Sequence, residues 1–145
     1  MCGVLINCIF IINTFKSELL GVLLHGNIPK ELNLTGLWYL FLENNNLSAG
    51  SLEGVLLESS SLELLDIINN PFSNVIPDWI GNFSVLTSLV LSKNSFEGEI
   101  RTGFCKLNKL LFLDLLENKI SPASIPPCAN LSTMKYLRLP SNELT

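Results

Sequence analysis

One spaced pattern recurs along the sequence at a nearly constant interval. Three consecutive stretches begin at Leu62, Leu86 and Leu110, and each reads Leu-x-x-Leu-x-Leu/Ile-x-x-Asn-x-Phe/Ile. These starts are evenly spaced, and related stretches begin at Leu37 and Met134, about one interval before and after them. A period of ~24 residues predicts a solenoid in which each repeat forms one coil and contacts only its neighbours.

The spacing of the apolar residues predicts a short strand at the start of each coil. The second and third leucines of the pattern alternate with outward-facing residues, as a strand requires. Because no single coil can bury these side chains, stacked coils bury them together, and this signature is that of the leucine-rich repeat. We therefore predict an α/β-type repeat solenoid, a horseshoe with a parallel β-sheet on its concave face and a mostly irregular or 3-10 convex side.

An asparagine follows each predicted strand at the point where the chain turns. A buried amide side chain both donates and accepts hydrogen bonds, so a stacked column of asparagines satisfies the backbone groups of successive turns. The predicted structural ladder consists of Asn45, Asn70, Asn94, Asn118 and Asn142.

The repeats divide the chain into two parts. An apolar segment, residues 1–18, precedes a repeat domain, residues 19–145, whose approximate repeats are 19–36, 37–61, 62–85, 86–109, 110–133 and 134–145. Residues 1–15 are either a signal-type segment or the decayed end of an upstream repeat. No Lys or Arg precedes this apolar run, and it is too short for a confident membrane span.

Two repeats depart from the pattern in their second halves. Gly50, Ser51 and Leu52 replace Gly-x-Ile-Pro in repeat 37–61, and the polar run 58–61 that follows predicts a turn. In repeat 86–109, Arg101 stands where the pattern has proline.

The composition argues against several classes of function. Hydrophobic residues make up 48% of the chain, charged residues only 15%, and the formal net charge is −4. Without a basic stripe, nucleic acid is not expected as a partner. The four cysteines form no Cys-x-x-Cys pair, and the single histidine, His25, falls at a variable position that we interpret as ordinary surface. No metal site and no cofactor are therefore expected.

The extended pattern Leu-x-x-Leu-x-Leu-x-x-Asn-x-Leu/Phe-x-Gly-x-Ile-Pro resembles the plant extracellular type of leucine-rich repeat. The resemblance covers about residues 19–145 and is strongest in the runs IPDWIGNFSVLTSLVLSKNSFEGEI, FCKLNKLLFLDLLENKIS and IPPCANLSTMKYLRL. These runs look like the ectodomains of plant receptor-like proteins, the disease-resistance type that lacks a kinase. The resemblance implies a glycosylated solenoid at the plasma membrane, facing outward on one membrane helix, that binds a peptide or glycan elicitor and signals through a partner kinase.

The same resemblance leads us to expect a central segment of a longer ectodomain. Neither the cysteine-rich cap, the membrane helix nor the kinase motifs of such receptor systems are recognisable in these 145 residues. Membrane association is then expected only through the anchor of a longer parent protein. Two other interpretations remain open, a truncated remnant that binds nothing and a secreted inhibitor of a cell-wall glycanase.

Candidate N-glycosylation sites are typical of an extracellular chain. Asn-x-Ser/Thr sequons occur at Asn33, Asn46, Asn82 and Asn130. Asn82 and Asn130 occupy the same position relative to the starts of their repeats, so they should lie on one side of the solenoid. Part of this shared phase follows from the repeat consensus alone.

Two cysteines occupy similar phases of adjacent coils. Measured from the starts of their repeats, Cys105 and Cys128 differ by a single position, so stacking could bring their Cα atoms within disulfide range. An inter-coil disulfide, formed in an oxidising compartment, and two buried free thiols are both open.

Candidate ligand-binding residues lie at the variable positions of the predicted strands. They form a mixed aromatic and charged surface suited to a peptide or protein ligand: Trp38, Tyr39, Phe41, Asp66, Thr87, Phe112, Asp114, Lys135, Tyr136 and Arg138. Asp114 and Arg138 are expected to be exposed neighbours, about one strand spacing apart. The alternative is a solvated face without a ligand.

Three other positions of this face carry residues that the pattern does not favour. Ile68, Leu116 and Pro140 stand where related repeats have serine. We expect them to be exposed, where they form a sticky binding patch or reflect relaxed selection.

No enzyme activity is expected. Asp66 and Asp114 lie two coils apart, ~9–10 Å by strand spacing, which touches the range for an inverting glycosidase. However, Val90 lies between them, nothing encloses a sugar, and no apolar pocket is expected to raise either pKa. The pair therefore fails the geometric requirements of a catalytic site.

Overall fold

Parallel strands stacked coil upon coil form the body of the protein. The computed structural model describes residues 16–18, 25–26, 34–48, 50–121, 125–129 and 131–140. The segment 1–15 and the candidate residues Asn33, Asn130 and Asn142 lie outside the described residues. In chain order the strands and the α-helix are β1 (Lys16–Glu18), β2 (His25–Gly26), β3 (Tyr39–Phe41), β4 (Asn46–Leu47), α1 (Gly50–Leu56), β5 (Leu64–Asp66), β6 (Ser73–Asn74), β7 (Ser88–Val90), β8 (Ser95–Gly98), β9 (Phe112–Asp114), β10 (Lys119–Ile120) and β11 (Tyr136–Arg138).

The main sheet takes one strand from each coil. Its order is β1-β3-β5-β7-β9-β11, and every pair is parallel. The register places Leu40 beside Leu65, Leu65 beside Leu89 and Leu89 beside Leu113, which are equivalent positions of successive repeats. The parallel sheet of the predicted horseshoe is confirmed.

Smaller sheets join the coils a second time, and the sequence analysis did not predict them. β8 lies between β6 and β10, and β2 pairs with β4, again in parallel. Most of these short strands follow directly after a ladder asparagine, so equivalent backbone segments of adjacent coils meet there and pair.

The core is a column of leucines at the repeat positions. The repeat starts Leu62, Leu86 and Leu110 are at most 1% exposed, and the inward strand residues beside them are buried in the same way. Further along the same coils, the rings of Phe72 and Phe96 lie parallel with centroids 6.0 Å apart. Burial of one such side chain contributes ~1.5–3 kcal/mol, so the coils are held mainly by this column.

The ladder asparagines of the described coils join the turns of neighbouring repeats. The side-chain nitrogen of Asn94 donates to the carbonyls of Ile67 in the preceding coil and Leu91 in its own, each at 3.0 Å. Its oxygen accepts the backbone N–H of Phe72 at 3.2 Å. Asn70 and Asn118 repeat this arrangement, and Asn45 caps the carbonyls of its own turn.

The return half of repeat 37–61 differs from the others because it contains α1. Repeats 62–85 and 86–109 return through 3-10 helices, Asp78–Asn82 and Thr102–Lys106, as predicted for the convex side. In repeat 37–61 no proline interrupts the return segment, and Leu52 and Leu56, one helical turn apart, are both buried. Ser59, in the run predicted to be a polar turn, is buried and donates its hydroxyl to the carbonyl of Leu34 at 3.0 Å.

Arg101 adopts the backbone conformation that the pattern assigns to proline. It precedes its 3-10 helix with φ −74° and ψ 164°, close to the φ −69° and ψ 147° of Pro77 one coil earlier. The guanidinium lies 4.0 Å from the carboxylate of Asp78, an exposed pair that adds little stability. The coil therefore keeps its shape without the ring.

A disulfide joins the return halves of two adjacent coils. Cys105 and Cys128 are bonded, with their Cα atoms 5.4 Å apart. The two residues occupy similar positions in adjacent coils, about one repeat apart in sequence, so stacking of the coils brings them together.

Removing this disulfide should lower stability without changing the core. In the chain-entropy model a closed loop of this length contributes ~3 kcal/mol. We therefore expect the double variant Cys105→Ser, Cys128→Ser to melt well below the parent under oxidising conditions. The parent in dithiothreitol should approach the variant, and equal melting temperatures in all samples would show that the bond does not form in solution.

Candidate ligand-binding face

The strand register places the candidate residues in three columns on the concave face. The first column contains Trp38, Glu63, Thr87, Leu111 and Lys135. The second contains Tyr39, Leu64, Ser88, Phe112 and Tyr136. The third contains Phe41, Asp66, Val90, Asp114 and Arg138. All ten predicted face residues therefore lie on one sheet. They include stacked aromatic rings and two aspartates with their neighbours.

Stacked aromatic rings form one region of this face. The rings of Phe112 and Tyr136 lie with centroids 4.4 Å apart and an angle of 6° between their planes, and Tyr136 is 44% exposed. We call these two rings the aromatic platform. In the coil of β3, Trp38 is also exposed, and the hydroxyl of Tyr39 donates to Glu63 at 3.4 Å.

Asp114 lies beside the platform in a fully occupied carboxylate site. One of its oxygens accepts the guanidinium of Arg138 and the hydroxyl of Ser92, each at 3.1 Å. The other accepts the backbone N–H of Leu116 at 3.1 Å. The expectation of two exposed partners is wrong, because the Asp114 side chain is 5% exposed and that of Arg138 is 45%. The buried carboxylate thus holds an exposed guanidinium in place.

Asp66 occupies the same repeat position two coils earlier but has different neighbours. Its carboxylate accepts the backbone N–H of Ile68 at 2.9 Å, as Asp114 does from Leu116. Val90 stands at the position of Arg138, and Glu43, which follows β3, at that of Ser92. Within the described residues, Asp66 and Glu43 form no ion pair, so the acidic group faces an acidic neighbour.

Burial raises the pKa of Asp66 above its ordinary value. The negative charges of Glu43 and Asp114 raise it further, whereas the hydrogen bond from the Ile68 N–H lowers it. The expectation that neither aspartate lies in surroundings that raise its pKa is therefore wrong for Asp66. The physical reason is the half-buried position of the carboxyl between its neighbouring strands.

Comparisons with known proteins identify the repeats. The Leucine Rich Repeat family model matches residues 61–83 and 85–107. The chain is a leucine-rich-repeat protein. Receptor-like protein 32 of Arabidopsis thaliana is 43% identical over 108 residues, a match that covers 70% of this chain and 12% of that protein. The repeats are of the plant receptor-like type.

Solved structures show the same solenoid. The Arabidopsis receptor kinase HAESA, in complex with the peptide hormone IDA and the co-receptor SERK1, superposes with a TM-score of 0.68 at 26% identity, covering 86% of this chain and 26% of that one. The ectodomain of the Arabidopsis receptor kinase SOBIR1 gives a TM-score of 0.66 at 28% identity, covering 87% and 65%. The leucine-rich-repeat chain thus spans a minor share of some relatives and up to about two thirds of others.

Three further face positions are more buried than the sequence suggests. Ile68 and Leu116 are half-buried and Pro140 is buried, so the expected exposure is wrong. The equivalent Ser92 is also buried. These three residues therefore do not form the fully exposed patch that the sequence suggests.

The face contains two contributors that the sequence analysis missed, Glu43 and Ser92. Both lie two positions beyond the third column, one coil before the aspartate that they approach. Comparing that position between coils could have found them, because a side chain there reaches the third column of the next repeat.

The candidate glycosylation sites that the structure describes are accessible. Asn46 in β4 and Asn82 at the end of its 3-10 helix are both exposed, and so are the serines two residues later. In the part of the chain that the structure covers, no helix is long and apolar enough to cross a membrane. The same residues include no group of three His, Cys, Asp or Glu side chains that could hold a metal ion.

The two aspartates should respond oppositely to neutralisation. The raised pKa means that the folded state favours the protonated Asp66, so this stabilising contribution is present at low pH and is lost as pH rises through the folded-state pKa. We expect Asp66→Asn to raise the melting temperature at pH 7, with the gain shrinking in acid. Asp114→Asn should lower stability by ~1–3 kcal/mol, because Arg138 and Ser92 lose a charged acceptor.

Thermal melts of both variants between pH 4 and pH 8 test this pair of predictions. Each asparagine keeps an oxygen that can accept the N–H two residues later, so neither replacement disrupts this turn. A difference in stability between the two variants therefore reports the other neighbours of each carboxylate. Equal losses of stability in the two variants would contradict the assigned environments.

Proposed function

We propose that this leucine-rich-repeat chain is a recognition module that binds a peptide or protein ligand on its concave face. The observation that carries the proposal is the aromatic platform, two stacked rings beside the anchored guanidinium of Arg138. Exposed aromatic and arginine side chains on a rigid support contribute most of the binding energy at protein interfaces. The sheet supplies that support, since the ring-bearing strands β9 and β11 pair directly.

The relatives support the setting of this function. HAESA was solved with a peptide hormone and a co-receptor, which favours a peptide ligand and a co-receptor kinase as partners here. The receptor-like relatives favour a place at the cell surface. The proposed role in defence or developmental signalling rests on the resemblance of the repeats to disease-resistance receptor-like proteins.

Selection from a random peptide library tests the proposal. The chain, secreted from plant cells, is immobilised and peptides are enriched against it and then titrated individually. Peptides that bind on the face should lose at least fivefold in affinity with Tyr136→Ser, because half of the platform is removed. They should bind unchanged to Glu97→Gln, whose side chain is exposed on the smaller β6-β8-β10 sheet.

The outcomes separate the alternatives. Saturable binding that depends on Tyr136 supports the recognition module. A folded, monomeric chain that enriches no peptide overturns it in favour of a non-binding remnant. Inhibition of a cell-wall glycanase by the chain, undiminished by Tyr136→Ser, would also overturn the peptide-binding face.

Asn82 should carry an N-linked glycan when the chain is secreted. The Asn82 side chain and Ser84 are exposed, while the intervening Phe83 is buried and holds the sequon at the surface. We expect Asn82→Gln to lose the mass of one glycan and to keep the melting temperature of the deglycosylated parent. An unchanged mass on intact-protein mass spectrometry would contradict this prediction.

A further inference from the structure

The described residues contain two copies of one carboxylate site, and only one copy holds a cationic side chain. In both, the aspartate is the third-column residue that ends its strand, and it accepts the backbone N–H two residues later. At Asp114 the site also holds the guanidinium of Arg138 at 3.1 Å. At Asp66 the residue in the place of that arginine is Val90. The Asp114 copy therefore shows which chemical group the repeat geometry accepts.

The charges around the Asp66 copy strengthen this comparison. Glu43 replaces the serine of the Asp114 copy and lies close enough to Asp66 to raise its pKa. Two carboxylates without a cation cost stability when both are ionised, and a guanidinium or ammonium group placed between them removes that cost. Charge complementarity thus favours a cationic group over a neutral or acidic one at this point of the face.

We propose that Asp66 and Glu43 bind an arginine or lysine side chain of an extended peptide whose aromatic residue rests on the Phe112–Tyr136 platform. This inference rests on the proposed peptide-binding function and adds the charge and spacing of the ligand. The guanidinium takes the position that Arg138 occupies against Asp114. The aromatic residue adds its ring to the exposed side of the platform, where Tyr136 is accessible.

The strand geometry sets the spacing between the two ligand residues. The middle of the platform lies between β9 and β11, two to three strands beyond β5, or ~12 Å at about 4.8 Å per strand. It also lies two residues away along the strand direction, ~7 Å, so the direct separation is ~14 Å. An extended peptide covers ~13 Å in four residues, and residues four apart share one face. The ligand therefore carries its aromatic residue four positions from the basic one.

A set of synthetic peptides tests the inference on the full chain. The probe is a fluorescent heptapeptide of Gly and Ser with arginine first and phenylalanine fifth. Matched probes carry citrulline, the neutral analogue of arginine, or move the phenylalanine to the third or seventh position. Each is titrated against the parent, Asp66→Asn and Tyr136→Ser by fluorescence anisotropy.

The expected result is a dependence on both charges and on spacing. Citrulline should weaken binding to the parent at least fivefold, and Asp66→Asn should bind the arginine and citrulline probes equally. The probe with phenylalanine fifth should bind most tightly. Because Asp66→Asn is expected to melt no lower than the parent, its weaker binding is not a loss of folding.

Failure of the inference is distinct from failure of the proposed function. Probes or library peptides that bind through Tyr136 but do not discriminate arginine from citrulline overturn the cationic subsite and leave the recognition module standing. Equal binding of all three spacings overturns the proposed geometry. The absence of saturable binding by any probe or library peptide overturns both proposals.

Discussion

Replacing Asn94 by alanine is expected to abolish the cooperative unfolding transition or to lower stability by more than ~3 kcal/mol. The Asn94 side chain donates to three backbone carbonyls in two coils and accepts the N–H of Phe72, and it is buried. Alanine leaves these groups inside the stack without a partner, and each buried unsatisfied group costs ~1–3 kcal/mol. The loss is large because domains of this size are only ~5–15 kcal/mol stable.

A graded series distinguishes the ladder from a general loss of asparagine. Asn118→Ala should be milder, because Asn118 is half-buried and water can replace part of its role. Asn108→Ala, on the surface, should change stability by less than ~0.5 kcal/mol. Urea unfolding followed by the fluorescence of Trp38 and Trp79 measures all three variants. A loss for Asn94→Ala no larger than that for Asn108→Ala would contradict the ladder.

Replacing Gly103 by alanine is the second change with a large expected effect. Gly103 lies in a 3-10 helix directly against Asp78 of the coil before, and its N–H donates to the Asp78 carboxylate at 2.9 Å. An added Cβ would approach the backbone carbonyl and the carboxylate of Asp78 to less than 3.0 Å, a separation that real side chains do not reach. A Cβ added to Gly81 would likewise meet the backbone of Gly103, so the two adjacent 3-10 helices leave no room for a side chain between them.

We expect Gly103→Ala to cost at least ~3 kcal/mol, because backbone rather than a flexible side chain obstructs the methyl group. Gly54→Ala is the matched control, since Gly54 is exposed within α1 and alanine favours helices by up to ~1 kcal/mol. Thermal and urea unfolding should therefore both show lower stability for Gly103→Ala and higher stability for Gly54→Ala. Parallel losses in both variants would contradict close contact between the 3-10 helices.

The placement of the site residues could be predicted because it follows from the period. The alternation within Leu-x-x-Leu-x-Leu assigns Tyr136 and Arg138 to one face, and the constant period places Phe112 and Asp114 beside them. Their environments follow from the period only in part, because Glu43, Ser92 and the burial of each carboxylate lie outside the column pattern. Asp66 and Asp114 occupy the same repeat position, yet one neighbours Glu43 and Val90 and the other Ser92 and Arg138.

The amino-acid sequence by itself determined the solenoid, the register of the main sheet and the asparagine ladder. Each of these depends on a local pattern that recurs at a constant interval, so the same residues occupy equivalent positions in every coil. Only the tertiary structure decided the burial of Asp114, the helix α1 and the hidden hydroxyl of Ser59. The burial of Asp114 and the hydrogen bond of Ser59 depend on residues of the adjacent coil, about one period away in sequence. The helix α1 arises where its own repeat departs from the pattern, and a pattern shared by all coils does not describe such differences between them.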